Sequence, residues 1–361
     1  MQMVKHLQEQ VPVIYVNSIG VRVPKPGEGA VFLQRVIRKV RSWGRGFVRI
    51  SPEFATVSPI TIPGRLRRLF HPLAVLGLRR AVRRMGMKNP LVWITCPPAA
   101  NMASTIASAG LVYQRTDRWE EFPGCDRQQM LDHHRSLADR ADLTLYCSKS
   151  LMSEEADQVA NPTYLDHGVD YECFAAAGEG ASQAPLEFEN IPEPRVGFIG
   201  GIDSHTFDAR LFLEVAQKLP DKQFVLVGAC SLPAGWCNLP NVHLLGRKPY
   251  SDVAAYMGAC DVLIMPWNDN DWIEACNPIK LKEYLAVGRP IVSRYFPQLD
   301  EFAGLIRIAK TSDQFANEIS NALADPGDAS PRREAVERDD WASRAARVLS
   351  LLSERGLSKA P

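Results

Sequence analysis

Paired cysteine spacings, an excess of charge of one sign and long unbroken apolar runs are what this chain of 361 residues has little of. Its eight cysteines never form C-x-x-C or a paired-ligand spacing, and several sit in apolar runs such as Leu143–Cys147. They read as small buried hydrophobes in a reducing compartment, with no zinc expected. The 42 basic and 41 acidic side chains leave a formal charge of +1, so bulk charge gives no reason to expect a nucleic-acid binder. No G-x-G-x-x-G occurs, which disfavours a nicotinamide cofactor. The first ten residues hold no apolar core, so a leader is not expected and a cytoplasmic location is. Leu91–Tyr113 is uncharged and long enough to span a bilayer, but Pro97-Pro98 and five Ser, Thr or Asn residues before Ala109 argue against a span.

What remains is ordinary globular composition, 46% hydrophobic and 23% charged, which excludes disordered, collagen-like and coiled-coil classes. Short apolar runs recur between turn residues: Val13–Val16, Phe47–Ile50, Leu91–Thr95, Leu111–Gln114, Leu143–Cys147 and Thr163–Asp166 in the first half. The second half has Arg195–Ile199, Gln223–Val227, Val242–Leu245, Val262–Met265, Pro290–Ser293 and Leu305–Ile308. Helical segments such as Phe207–Leu219 and Tyr250–Gly258 separate them. This alternation predicts the α/β class, with two doubly wound (Rossmann-like) parallel-sheet domains in tandem. The apolar rhythm lapses in 175–194, where Ala, Gly, Glu, Ser and Pro take over. The expected division is a first domain over 1–174, a linker over 175–194, a second domain over 195–333 and a terminal helix in 334–361. That helix carries a stripe of Trp341, Ala345, Val348 and Leu352, expected to pack across the domain junction.

The most informative segment runs from Asp261 through Trp267, crosses a polar loop, and continues from Asn277 to Ser293. It reads as strand, loop, helix, strand. Asn277 is a favoured N-cap, Pro278 suits the first helical position, and Gly288 with Pro290 ends the helix. A helix start at the carboxyl end of a parallel strand attracts anions through its free amides and dipole. Lys280 then falls at the third helical position and Glu283 one turn later on the same face, spaced for a diphosphate and its ribose. An ordinary surface Lys–Glu pair has the same spacing. A second element, Val196–His205, ends a strand in Gly200-Gly201, where backbone can approach a ligand closely or simply turn.

Read together, these segments resemble the nucleotide-sugar-binding domain of GT-B glycosyltransferases, near the family 4 (group 1) type. The resemblance runs through Gly200-Gly201, Phe224–Gly228, Leu245-Gly246 with Tyr250, Ala259–Val262, Pro266, Asn277-Pro278, Lys280, Glu283–Gly288 and Pro290–Val292, covering Arg195 to Leu323. It implies GT-B architecture, with the terminal helix crossing back to the first domain. It implies a nucleotide-sugar donor, UDP-linked, held by Gly200, Gly201, Asn277, Pro278, Lys280 and Glu283. Glu283 matches the second glutamate of the family's E-x7-E motif and would hold the ribose, and Lys280 would pair with the diphosphate. The first glutamate's position is Ala275, with Glu274 one residue early, and of the basic residues that usually follow the glycine loop only Arg210 is present. The implied activity is hexosyltransferase-like: sugar transfer to a hydroxyl of a lipid-linked or polysaccharide acceptor, in cell-envelope polysaccharide biosynthesis. A sugar-nucleotide epimerase or phosphorylase on the same architecture, and a non-catalytic nucleotide-sugar-binding protein, stay open. No cofactor and no metal are expected. Asp269-Asn-Asp271 mimics the D-x-D motif of the GT-A class, but it lies on the loop before a helix that already supplies a cation.

In the first half, Leu111–Gly124 is strand-like and opens into an acidic, aromatic loop. It resembles a first-domain stretch of related transferases, which implies that Asp117 faces the interdomain cleft as general base, with Glu120 and Glu121 as rivals. His167–Tyr171 resembles the family's Asn-Gly-Val-Asp hinge, and His167 reads as structural. His133 and His134 read as surface residues. Between Arg22 and Lys88, sixteen Lys and Arg stand against Glu28 and Glu53 alone, a local +14 that leaves −13 for the rest. Arg35, Arg38, Lys39, Arg41, Arg45, Arg49, Arg65, Arg67, Arg68, Arg79, Arg80, Arg83 and Arg84 are interleaved with Trp43, Phe47, Phe70 and several leucines. Such a face suits an anionic membrane surface or a lipid pyrophosphate, peripheral on the inner side of the membrane. A solvated basic face is the plain alternative, and no nucleic-acid motif accompanies the charge.

Overall fold

The computed structural model describes residues 2–17, 46–59, 67–181 and 183–357, with 67–70 described by backbone alone. The chain forms two units, one of Met1–Asp166 with Arg344–Pro361 and one of His167–Ser343.

The first unit holds two sheets rather than the single six-stranded sheet that the apolar runs suggested. Strands β1 (Val13–Val16), β2 (Phe47–Arg49) and β3 (Phe54–Val57) lie in the order β1-β3-β2. β1 and β3 are parallel and β2 is antiparallel, because Ser51–Glu53 turns the chain straight back on itself. Strands β4 (Leu91–Ile94), β5 (Gly110–Arg115), β6 (Leu143–Tyr146) and β7 (Pro162–Tyr164) form a wholly parallel sheet in chain order. The terminal helix, Trp341–Glu354, lays Val348, Leu351 and Leu352 against Val112, Leu143, Leu145 and Leu165. Of the expected stripe Ala345, Val348 and Leu352 are buried, Leu351 joins them and Trp341 is half-buried; the helix starts at the end of the second unit, and its residues from Arg344 belong to the first. No helix among the described residues is long and apolar enough to cross a membrane.

Beneath the β5 carboxyl end lies an ionic core that composition does not reveal. Arg115 is wholly buried and reaches Glu120 and Glu155, each at 2.8 Å. His134 lies 3.4 Å from Glu155 and within 3.1 Å of the Tyr113 hydroxyl. The expectation of a surface His134 is therefore wrong: its helix, Arg127–Ala138, turns that position inward with Met130 and Leu137. Removing one partner from so buried a cluster strands the other, at roughly 3–5 kcal/mol.

The second unit is one parallel sheet of β8 (Arg195–Ile199), β9 (Gln223–Val227), β10 (Val242–Gly246), β11 (Val262–Met265), β12 (Ile291–Ser293) and β13 (Arg307–Ile308). Spatial order is β10-β9-β8-β11-β12-β13, all parallel, so the winding direction reverses between β8 and β11. Ligands bind such sheets at the carboxyl ends of the strands flanking that reversal. The expected linker is not one: 175–194 lies inside this unit, and the boundary falls at Asp166/His167. Its small residues serve close packing. A Cβ at Gly178 would overlap the Val287 carbonyl, and Phe188 and Ile191 enter the core. Lys282, 1% exposed, donates to Asp339 at 2.5 Å and to the His167 carbonyl at 3.0 Å. It thereby ties the beginning of the unit to its end.

Burial, and then the Arg115 charge, hold the His134 imidazole below its ordinary value. The unfolded chain therefore takes up a proton before the folded one does as pH falls through the imidazole range, and stability falls with it. The thermal midpoint is expected to drop between about pH 7.5 and about pH 5.5, less steeply in His134→Gln. Parallel slopes in a pH series of melting curves would remove His134 as the titrating group.

Candidate functional site

The loops that follow β8 and β11 build the site. β8 runs into Gly200-Gly201, where Gly200 N donates to Val227 O at 2.8 Å. Gly228 follows β9 and Gly246 ends β10, with Gly228 N donating to Gly246 O at 2.9 Å. Three neighbouring strand ends thus present bare backbone. A Cβ on Gly228 would overlap the Gly200 carbonyl, and one on Gly200 would overlap the Lys280 ammonium. Gly201 is exposed and its Cβ position is open but for Asp203 Oδ2 at 3.4 Å. The 203–206 turn is fixed by Asp203, which accepts from His205 N at 2.9 Å and Thr206 N at 3.0 Å. Asn268 and Asn270 tie it to the loop after β11, each donating to the His205 carbonyl.

The helix Ile279–Val287 starts beside this floor and ends at Gly288, whose φ of +80° only glycine adopts easily. Its start differs from expectation by one residue. Pro278, extended at φ −79° and ψ 128°, is the capping residue and makes no side-chain cap. Asn277 is buried one position earlier, and Lys280 falls at the second helical position rather than the third. The Tyr284 hydroxyl accepts from Ile199 N at 2.9 Å and locks this helix to the end of β8.

Lys280 projects over the glycine loop. Its Nζ lies 4.3 Å from the centroid of the Phe198 ring and 5.4 Å from that of Trp267, which itself stacks on Phe296. No hydrogen bond to this ammonium is present among the described residues. Burial pushes its pKa down to about 8, against the upward pull of Glu283. Glu283, 7% exposed, is pushed up to about 7 by burial, while the Tyr250 hydroxyl and Lys280 pull it down. Tyr250 donates to Glu283 Oε1 at 3.2 Å. The arrangement combines a cation with a helix amino end and close backbone, which suits a phosphate anion.

Ala275, where the family carries its first glutamate, is fully buried, and Glu274 is exposed at the end of the short helix Asp271–Glu274. Asp269 and Asp271 are exposed, and Asp269 lies 3.6 Å from Arg294. No group of three potential metal-ligating side chains occurs among the described residues.

In the first unit the three candidate bases separate. Glu120 is held by Arg115, and Glu121 accepts from Arg127 at 2.9 Å. Asp117 makes no ion pair among the described residues, and burial raises its carboxyl above the ordinary range. Of the basic face, 18–45 and 60–66 lie outside the described residues, and the Arg67 and Arg68 side chains with them. The helix Arg67–Arg84 buries Ala74, Leu78 and Ala81, and exposes Leu73, Leu76, Arg79, Arg80, Arg83 and Arg84. Arg79 donates to Thr105 O and Arg84 caps the Phe47 ring, leaving Leu73, Leu76, Arg80 and Arg83 as one outward stripe.

Residues 193–325 match the family Glycosyl transferases group 1. The matched span lies within the second unit. The matched span holds every donor-side residue discussed above. A teichuronic acid biosynthesis glycosyltransferase of Bacillus subtilis, TuaH, is 28% identical over 226 residues, 57% of this chain and 55% of that protein. The chain thus spans about half the length of that curated relative. The structure resembles Anabaena HepE, solved with UDP and glucose, at a TM-score of 0.66 and 16% identity over 95% of this chain and all of that one. It also resembles a UDP-forming trehalose-phosphate synthase of Burkholderia vietnamiensis, at 0.64 and 13% identity over 97% of this chain and all of that one. The fold is GT-B. The structure brings Gly200, Lys280 and Glu283 close together within the second unit. Sequence reasoning gave Gly228 and Tyr250 no role, since neither stands out by local periodicity.

Because the Glu283 charge raises the Lys280 pKa, Glu283→Gln is expected to move the Lys280 titration below about 8. NMR of the reductively methylated protein reads this directly, and an upward movement would contradict the assigned pairing.

Proposed function

We propose that this protein is a glycosyltransferase that moves a sugar from a UDP-sugar to a hydroxyl of a lipid-linked or polysaccharide acceptor. The observation that carries the reading is Lys280, an ammonium without a hydrogen-bond partner among the described residues, poised over a glycine backbone at a helix amino end. An incoming diphosphate supplies the missing partner and strengthens the ammonium's hold on its proton. As the sugar–phosphate bond breaks, negative charge grows on the departing diphosphate, and the ammonium and helix end stabilise it. Glu283 accepts hydrogen bonds from the ribose. Asp117 takes the proton of the acceptor hydroxyl, a task its raised pKa favours. Since this cation and dipole already meet the leaving group, transfer is expected to proceed undiminished in EDTA. UDP in the HepE structure and the biosynthetic role named for TuaH support the donor and acceptor classes. A binding protein without transfer is the second reading, favoured by the buried Ala275 where the family has a glutamate.

Lys280→Ala is expected to weaken UDP affinity more than about tenfold, the loss of a charge-assisted contact. Calorimetry showing a change within about twofold would overturn the site. Asp117→Asn should abolish acceptor-dependent UDP release and leave UDP affinity unchanged. Release that never depends on acceptor favours the second reading.

The stripe of Leu73, Leu76, Arg80 and Arg83 is proposed to rest on an anionic leaflet, leucines among acyl chains and guanidiniums on phosphates. Sedimentation with vesicles containing anionic lipid should exceed that with neutral vesicles, and the paired change Arg80→Glu with Arg83→Glu should erase the difference. Equal binding to both vesicle types would defeat the electrostatic account.

A further inference from the structure

Tyr250 is 45% exposed, yet its hydroxyl holds a carboxylate that is nearly enclosed. It opens the helix Tyr250–Gly258 directly after Pro249, and its ring meets Phe174 edge-on, with centroids 6.3 Å apart. Glu283 receives this one hydrogen bond, on Oε1, and no other is present among the described residues. Three helices surround the carboxylate. Lys280 acts from its own helix, Tyr250 from Tyr250–Gly258, and Asp170 with Cys173 from Tyr171–Gly178. Lys280 and Tyr250 favour the charged form, and Asp170 opposes it. A lone carboxylate at the end of a three-bond side chain can rotate. A phenol fixed by its helix and by Phe174 stops that rotation at one oxygen and leaves the second to a ligand.

We propose that Tyr250 is a positioning residue for the nucleoside: it clamps one oxygen of Glu283 so that the other meets the ribose hydroxyls, and so makes the site select ribonucleoside over 2′-deoxyribonucleoside diphosphates. This rests on the assignment of Glu283 to the ribose under the function proposed above. The phenol also supports ionisation of Glu283, so its loss shifts the charged form to higher pH.

Calorimetric titration of the full chain with UDP and with 2′-deoxy-UDP, between about pH 6 and about pH 9, tests it. Wild type is expected to favour UDP, and Glu283→Gln to lose that preference. Tyr250→Phe retains the ring against Phe174. It is expected to reduce the preference at least about threefold near pH 7, with partial recovery near pH 9 as the carboxylate ionises unaided. A merely structural tyrosine would weaken both ligands equally at every pH, and that result overturns the proposal. If Glu283→Gln keeps the wild-type preference, the ribose assignment itself fails. If Glu283→Gln loses it while Tyr250→Phe keeps it in full, the ribose assignment stands and the role of Tyr250 is refuted.

Discussion

Lys280 sits between two aromatic faces and a glycine backbone, and the rest of the second unit is arranged to keep it there. Burial weakens the ammonium's hold on its proton without removing it at neutral pH. A carboxylate in direct contact would satisfy it and close the site to anions. Glu283 is instead kept one turn away and partly protonated by its own burial. The cost of leaving a charge short of partners is tolerated because Phe198 and Trp267 offer it their faces, interactions worth about 1 kcal/mol each. Two of the strand-end glycines follow from the same constraint. Any side chain at Gly200 takes the ammonium's place, and any at Gly228 displaces Gly200.

The first unit solves a different electrostatic problem. Arg115 is sunk completely and collects Glu120, one rival of Asp117, together with Glu155 from the facing helix, while Arg127 takes the other rival, Glu121. Of the three candidate bases, Asp117 is the one that makes no ion pair among the described residues, and burial outweighs the pull of Arg115 on its carboxyl. Charge on this unit is thereby sorted, with ion pairs inside and an arginine stripe outside along Arg67–Arg84.

Much of the second unit was legible because its strands are continuous apolar runs and its punctuation is strict. Gly288 and Pro290 mark the helix end, and Gly200-Gly201 marks the strand end. Other features were not. Pro278 takes the cap expected of Asn277: its ring fixes φ alone, and the extended ψ that places it outside the helix is set by the fold. The small residues of 175–181 look like a solvated linker but exist because Gly178 touches backbone at Val287. His134 on a charged helix looks solvated, and only tertiary packing turns it toward Arg115. The β3 strand lies just past the Ser51–Glu53 turn, and four residues show too little alternation to mark it as a strand.

Lys282 gives the helix of Lys280 a second duty. Its enclosed ammonium grips Asp339 and the His167 carbonyl, the two places where the polypeptide joins and leaves this unit. Lys280 and Lys282 thus give one short helix two uses: the first faces the glycine floor, and the second fastens that helix to both ends of its own unit.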